Sequence, residues 1–96
     1  MTTKKINELM TTVKTYESKN ITIDYLDTIA NFARIGIIIH DRTDTKAQEL
    51  RTMLMTIAPS ADTYNNHEHE WFYNYKNTTR AKGWNIEVSI AYDRRR

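Results

Sequence analysis

The sequence predicts an α+β fold, in which about three helices pack on one face of a small antiparallel sheet dominated by a C-terminal β-hairpin. Apolar residues recur at helical spacing in three segments of the N-terminal two thirds. The last third alternates apolar and polar residues, which is typical of strands with one buried face. Each predicted helix has a single apolar stripe, and the aromatic face of the hairpin can cover all three.

The composition predicts one globular domain, residues 1–96. A chain of this length can bury one hydrophobic core without covalent crosslinks. It contains no cysteine, which is compatible with a reducing compartment, and we expect a cytoplasmic protein. No apolar run reaches the length of about 20 residues that a membrane-spanning helix needs, so no membrane association is expected.

The first two helices are predicted from apolar residues three and four apart. Ile6, Met10 and Val13 follow this spacing, which predicts a helix over residues 4–18 with Thr2 or Thr3 as its N-cap. A second helix is predicted to begin at residue 22 or 24 and to end at residue 36, a glycine. Its predicted apolar stripe consists of Ile23, Leu26, Ile29, Ala30 and Ala33.

A short strand and a third helix are predicted next. Residues 37–40 contain three consecutive isoleucines and predict a buried strand, with a continuation of the second helix as the alternative. Thr45 and Gln48 match a capping box for the third helix. Pro59 is predicted to end that helix.

Residues 67–92 predict the hairpin around which the fold is organised. Trp84, Ile86 and Val88 begin an alternating apolar row, and the preceding strand alternates likewise through Trp71 and Tyr73. Residues 77–83 are predicted to form a basic turn. The apolar residues of the two strands lie on the same face only if the numbers of paired residues add up to an odd value. A sum near 159 would place Trp71 opposite Val88.

We expect no catalysis and no cofactor, because glycines occur only at two positions and form no phosphate-binding loop. His67 and His69 are the weak candidates for metal ligands. They are two positions apart on a predicted strand and would point to the same side. A small-ligand or metal-binding protein is therefore the third hypothesis for the function, after the two described next.

A winged-helix-like DNA-binding regulator is the first alternative. The third helix would read DNA and the hairpin would form the wing. The residues expected to contact nucleic acid are Lys76, Arg80, Lys82, Arg94, Arg95 and Arg96. The net charge of only +2 is small for a protein whose affinity depends on phosphate neutralisation.

The preferred hypothesis is a small non-catalytic binding protein, a stoichiometric inhibitor or adaptor with a protein partner. Phe72 has the parity of the strand's outer face, and aromatic and basic groups are favoured at interfaces. The predicted partner-binding residues are Phe72, Lys76, Arg80 and Lys82. A small cysteine-free chain of this kind is typical of phage or mobile-element proteins that block a host or defence protein, and pairing of two copies is an alternative use of the sheet edge.

Overall fold

The computed structural model describes residues 2–57, 67–68, 72–81 and 83–93. Within these residues the chain forms two helices and five strands. They are α1 (Thr3–Lys14), β1 (Ile21–Ile29), β2 (Phe32–Ile39), α2 (Thr45–Ile57), β3 (His67–Glu68), β4 (Phe72–Ala81) and β5 (Trp84–Asp93). The α+β class predicted from the sequence is confirmed.

The five strands form one mixed sheet in the order β1-β2-β5-β4-β3. β2 and β5 are parallel neighbours, and every other neighbouring pair is antiparallel. The prediction of an entirely antiparallel sheet is therefore wrong at this pair. Parallel neighbours need a long crossover, and here α2 and the strands β3 and β4 lie between β2 and β5 in the chain.

The predicted second helix is wrong, because its residues form the β1–β2 hairpin. The physical reason is a β-bulge, seen as a register shift between the pairs Ile23–Ile37 and Tyr25–Gly36. Because Asp24 is an extra residue, Leu26 lies on the same core-facing side of β1 as Ile23, although the two are three positions apart. Apolar residues three apart are also typical of a helix. The hairpin turns at Ala30, which has a positive φ of 54°.

Both remaining helices are confirmed, with adjusted ends. The N-cap of α1 is Thr2, whose hydroxyl oxygen accepts a hydrogen bond from the Lys5 N–H at 3.2 Å. The N-cap of α2 is Asp44 instead of Thr45, because the Asp44 carboxylate accepts from the Ala47 N–H at 2.9 Å. The buried strand predicted at residues 37–40 is confirmed as the end of β2.

The C-terminal hairpin is confirmed as β4 and β5, but its register and turn differ from the prediction. Phe72 pairs with Asp93 and Ala81 with Trp84, so paired numbers add up to 165. Only Lys82 and Gly83 connect the strands, and Gly83 has the positive φ of 91° that such a turn needs. Residues 77–81, predicted as a turn, belong to β4. Trp71 lies outside the described residues.

One face of the sheet forms the hydrophobic core with both helices. Alternate residues of β2 and β5 are buried there, as the predicted alternation in β5 requires. The buried core residues are Ile6, Val13, Ile21, Ala33, Ile35, Ile37, Ile39, Ala47, Leu50, Leu54, Ile86, Val88, Ile90 and Tyr92. The described part of the chain places both helices on this one face.

Substitution of the α2 cap tests the end of this helix. Asp44→Ala removes the cap of the Ala47 N–H and the acceptor of a 3.1 Å hydrogen bond from the Asn20 amide. We expect a loss of about 1–2 kcal/mol in the free energy of unfolding, measured by urea denaturation. Thr45→Ala is the matched control and should change it by less than about 0.5 kcal/mol. A larger effect of Thr45→Ala than of Asp44→Ala would instead support Thr45 as the N-cap, as the sequence predicted.

Candidate functional site

The face of the sheet that points away from the helices is the candidate site, and we call it the outer face. In β1, β2 and β5 it consists of the residues that alternate with the buried ones. They are Thr22, Tyr25, Asp27, Ile29, Phe32, Arg34, Gly36, Ile38, Asn85, Glu87, Ser89, Ala91 and Asp93. All are exposed or half-buried except Gly36.

Gly36 is buried because the ring of Tyr25 lies on it. These two residues are partners across the β1–β2 pair. A Cβ atom at position 36 would lie 2.5 Å from Cε1 of Tyr25, which is far inside van der Waals contact. The glycine therefore allows the tyrosine ring to lie across the sheet instead of standing away from it.

Arg34 packs over this ring and also forms an ion pair with Asp27. Its Nε and Nη2 atoms donate hydrogen bonds to the two carboxylate oxygens of Asp27, at 3.0 and 2.9 Å. Its guanidinium carbon lies 4.9 Å from the centroid of the Tyr25 ring, within cation–π range. The guanidinium lowers the pKa of Asp27, chiefly through the two hydrogen bonds.

Glu87 completes this group on the central strand β5. The Tyr25 hydroxyl donates a hydrogen bond to Glu87 Oε2 at 3.2 Å. The pKa of Tyr25 is raised, first by partial burial of the ring and then by the nearby carboxylate. We call Tyr25, Asp27, Arg34, Gly36 and Glu87 the Tyr25 cluster. It spans three neighbouring strands, from the edge strand β1 to the central strand β5.

A second polar set joins the ends of the same three strands. His40 Nε2 lies 2.7 Å from the Thr22 hydroxyl, and His40 Nδ1 lies 3.4 Å from Asp93 Oδ2. Threonine, histidine and aspartate in this order can activate a nucleophile. The histidine–aspartate distance, however, exceeds the 2.7–3.2 Å of a good hydrogen bond. We interpret the set as a connection between strand ends.

The predicted partner-binding residues fall partly on this face. The register places Phe72 opposite Asp93, Lys76 opposite Ser89 and Arg80 opposite Asn85. These three positions continue the outer-face rows across β4. Lys76 and Arg80 are therefore strand positions, and the prediction of a turn at Arg80 is wrong. Lys82 and the three C-terminal arginines, Arg94, Arg95 and Arg96, lie outside the described residues.

The histidine pair predicted as a weak metal site is not on one continuous strand with Tyr73. His67 belongs to the separate strand β3 and pairs with Asn74, while His69 lies outside the described residues. In the part of the chain that the structure describes, no three or more histidines, aspartates and glutamates come together as metal ligands would.

Sequence reasoning missed the Tyr25 cluster completely. The sequence predicts a helix for Tyr25, Asp27, Arg34 and Gly36, in which Tyr25 and Arg34 would be far apart, and it predicts a strand for Glu87. Only one signal pointed to a strand, the alternation of isoleucines at positions 21 and 23 and again at 35, 37 and 39.

Comparison of the chain with models of known families, with curated proteins and with solved structures gives no significant match. Among the described residues, neither helix has the length and apolar character needed to cross a membrane.

A double-mutant cycle tests the packing of Tyr25 on Gly36. We expect Gly36→Ala to lower the free energy of unfolding by about 1–3 kcal/mol, because the added Cβ displaces the ring. The same substitution in a Tyr25→Ala background should have a clearly smaller effect. Equal effects of Gly36→Ala in both backgrounds would show that the ring does not limit this position.

A carboxyl titration by NMR tests the contact between Arg34 and Asp27. Arg34→Gln should raise the pKa of Asp27 towards its usual value. In the wild type the lowered pKa means that this stabilisation is present above about pH 3.9 and is lost as the pH falls through the folded-state pKa. High salt should weaken the effect, because both side chains are more than 40% exposed. An unchanged Asp27 titration in the variant would contradict the assignment.

Proposed function

We propose that this chain is a small binding protein that acts in a stoichiometric complex with a protein partner, as an inhibitor or adaptor, and that the outer face is its contact surface. The observation that carries the proposal is the Tyr25 cluster on a sheet face that no described helix covers. The action proposed is binding, without turnover of a substrate.

The outer face has the residue types that contribute most to protein interfaces. Tyrosine and arginine are enriched among the residues that dominate binding energy, and here Arg34 stacks on the ring of Tyr25. Half-buried Phe32 and Ile38 extend the apolar area around them, and the side chain of Ile29 is 71% exposed at the rim. A partner would remove this apolar surface from water.

The cluster is also ordered before any partner binds. Arg34 is fixed by Asp27 on one side and by the Tyr25 ring on the other. Fixing a long side chain in advance reduces the conformational entropy that binding has to overcome. Two of the five guanidinium N–H groups are directed to Asp27, so a partner's oxygen atom can approach Arg34 without breaking the ion pair.

The charges of this face favour a protein partner over nucleic acid. In β1, β2 and β5, Asp27, Glu87 and Asp93 of this face are acidic and Arg34 is basic. β4 adds Lys76 and Arg80, so acidic and basic positions balance and the described face has no excess of basic groups. A surface that binds phosphates needs an excess of basic groups. The winged-helix-like alternative also needs consecutive helices, whereas the β1–β2 hairpin lies between α1 and α2. That the partner is a host or defence protein stays a proposal based on the composition of the chain.

Substitutions on the outer face test the proposal. The full chain is used to capture a partner from host lysate, and the complex is then reconstituted from purified components. Tyr25→Ala with Arg34→Ala should weaken binding by about thirtyfold or more, as expected for central interface residues. Alanine at Phe72, Lys76, Arg80 and Lys82 together tests the contribution of the hairpin.

Lys4→Ala, at an exposed position on α1, is the matched control and should leave the affinity unchanged. Unchanged binding by all the outer-face variants, with melting curves that show a folded protein, would contradict the proposed surface. A salt titration addresses the alternative: a complex with DNA should weaken steeply as salt rises.

A further inference from the structure

The edge strand β1 is a second surface that can bind a partner. In the described sheet β1 pairs with β2 along one side and is the last strand of the order. The N–H and C=O groups along the outer side of an edge strand can hydrogen-bond to an added strand. Main-chain pairing of this kind supplies affinity, while pockets beside the edge select side chains.

A shallow groove runs beside this edge, between β1 and α1. It is lined by Met10, Thr11, Lys14, Thr15 and Leu26. Met10 and Leu26 are half-buried and pack against the core, so they present apolar surface to the groove. A strand added to β1 would therefore place every second side chain against the groove, where Met10 and Leu26 supply the apolar surface.

The bulge at Asp24 limits the length of the segment that fits. Beyond the bulge, residues 25–29 pair with β2 without further interruption. Leu26 and Thr28 lie on the groove side there, and Asp27 and Ile29 lie on the outer side. Five residues extend over about 17 Å, which matches a short linear segment of a partner.

The charges beside the edge select the chemistry of this segment. Asp24 is exposed at the bulge, whereas both carboxylate oxygens of Asp27 already accept hydrogen bonds from Arg34. Asp24 is therefore the carboxylate beside the edge that favours a lysine or arginine of the added segment. A second copy of this chain is disfavoured as the occupant, because its own β1, residues 21–29, contains no lysine or arginine that could lie beside Asp24.

We propose that residues 25–29 of β1 and the groove beside α1 bind an extended segment of a partner protein by strand addition, with apolar side chains in the groove and basic side chains on the outer side. Residues 25–29 include Tyr25 and Asp27 of the Tyr25 cluster, but strand addition uses the main chain of β1 and the groove beside α1, so it does not depend on the outer-face proposal. The residues that carry it are Met10, Leu26 and Asp24.

The probe is a capped hexapeptide in which lysine alternates with valine, with a fluorophore at one end. Binding to the full chain is followed by fluorescence anisotropy, and its position by amide shifts in NMR spectra. The expected result is saturable binding with shifts centred on residues 25–29. Replacing the lysines by glutamate should weaken binding at least tenfold, and so should N-methylation of alternate peptide amides, which removes main-chain donors.

Met10→Glu puts a charge into the groove without altering β1 and should also weaken binding at least tenfold. Thr12→Glu adds the same charge to the opposite side of α1 and is the matched control. Melting curves confirm that both variants are folded, and the N-methylated peptide tests the proposal even if Met10→Glu does not fold. Binding that is insensitive to both N-methylation and Met10→Glu, or amide shifts at Arg34, Gly36 and Glu87 without shifts at residues 25–29, would overturn the proposal. So would a dimer of the free protein in ultracentrifugation that Met10→Glu dissociates, since a second copy would then occupy the groove.

Discussion

The structure depends above all on the parallel pairing of β2 with β5. The register places Ala33, Ile35, Ile37 and Ile39 beside Ile86, Val88, Ile90 and Tyr92, and all eight are buried. These two strands come from distant parts of the chain, so their contact closes a long loop. Because side chains alternate between the two faces, a shift by one residue would expose this whole set to water. Burial of the core face therefore fixes the composition of the outer face.

The Tyr25 cluster is a consequence of that register. Once Ile35 and Ile37 are directed into the core, Arg34 and Gly36 must lie on the opposite side of β2. The same pairing brings Glu87 beside Arg34 in the next strand. The bulge at Asp24 then sets the parity of β1, so that Tyr25 lies opposite Gly36 and Asp27 opposite Arg34. Without the extra residue, Asp27 and Tyr25 would lie on the core face, where an aspartate could not be accommodated without a partner.

The parts of the fold that depend on one clear period could be predicted from the sequence. α1, α2 and the alternation in β5 are of this kind, and so is the buried strand at the end of β2. The β1–β2 hairpin could not be predicted, because its bulge gives Ile23 and Leu26 the spacing of a helix. The register of β4 against β5 was predicted wrongly for a different reason. Alternation requires only that the numbers of two paired residues add up to an odd value, and the short connection at Gly83 is what fixes this sum at 165. The candidate site was missed because it requires both the bulge and the β2–β5 pairing, which join distant segments.

The relative width of the two layers explains why a binding surface is available at all. Five strands at about 4.8 Å spacing make a sheet roughly 24 Å wide. Two helices packed about 10 Å apart are needed to cover one face of that width, and the described chain uses both helices in this way. No described helix then covers the outer face or the edge of β1, so only side chains can shield the backbone there from solvent. Tyr25 does so in part, because its ring covers the backbone at Gly36. A ring that lies flat on the sheet leaves its own face accessible to Arg34, and together they form the polar and aromatic surface that a partner can contact.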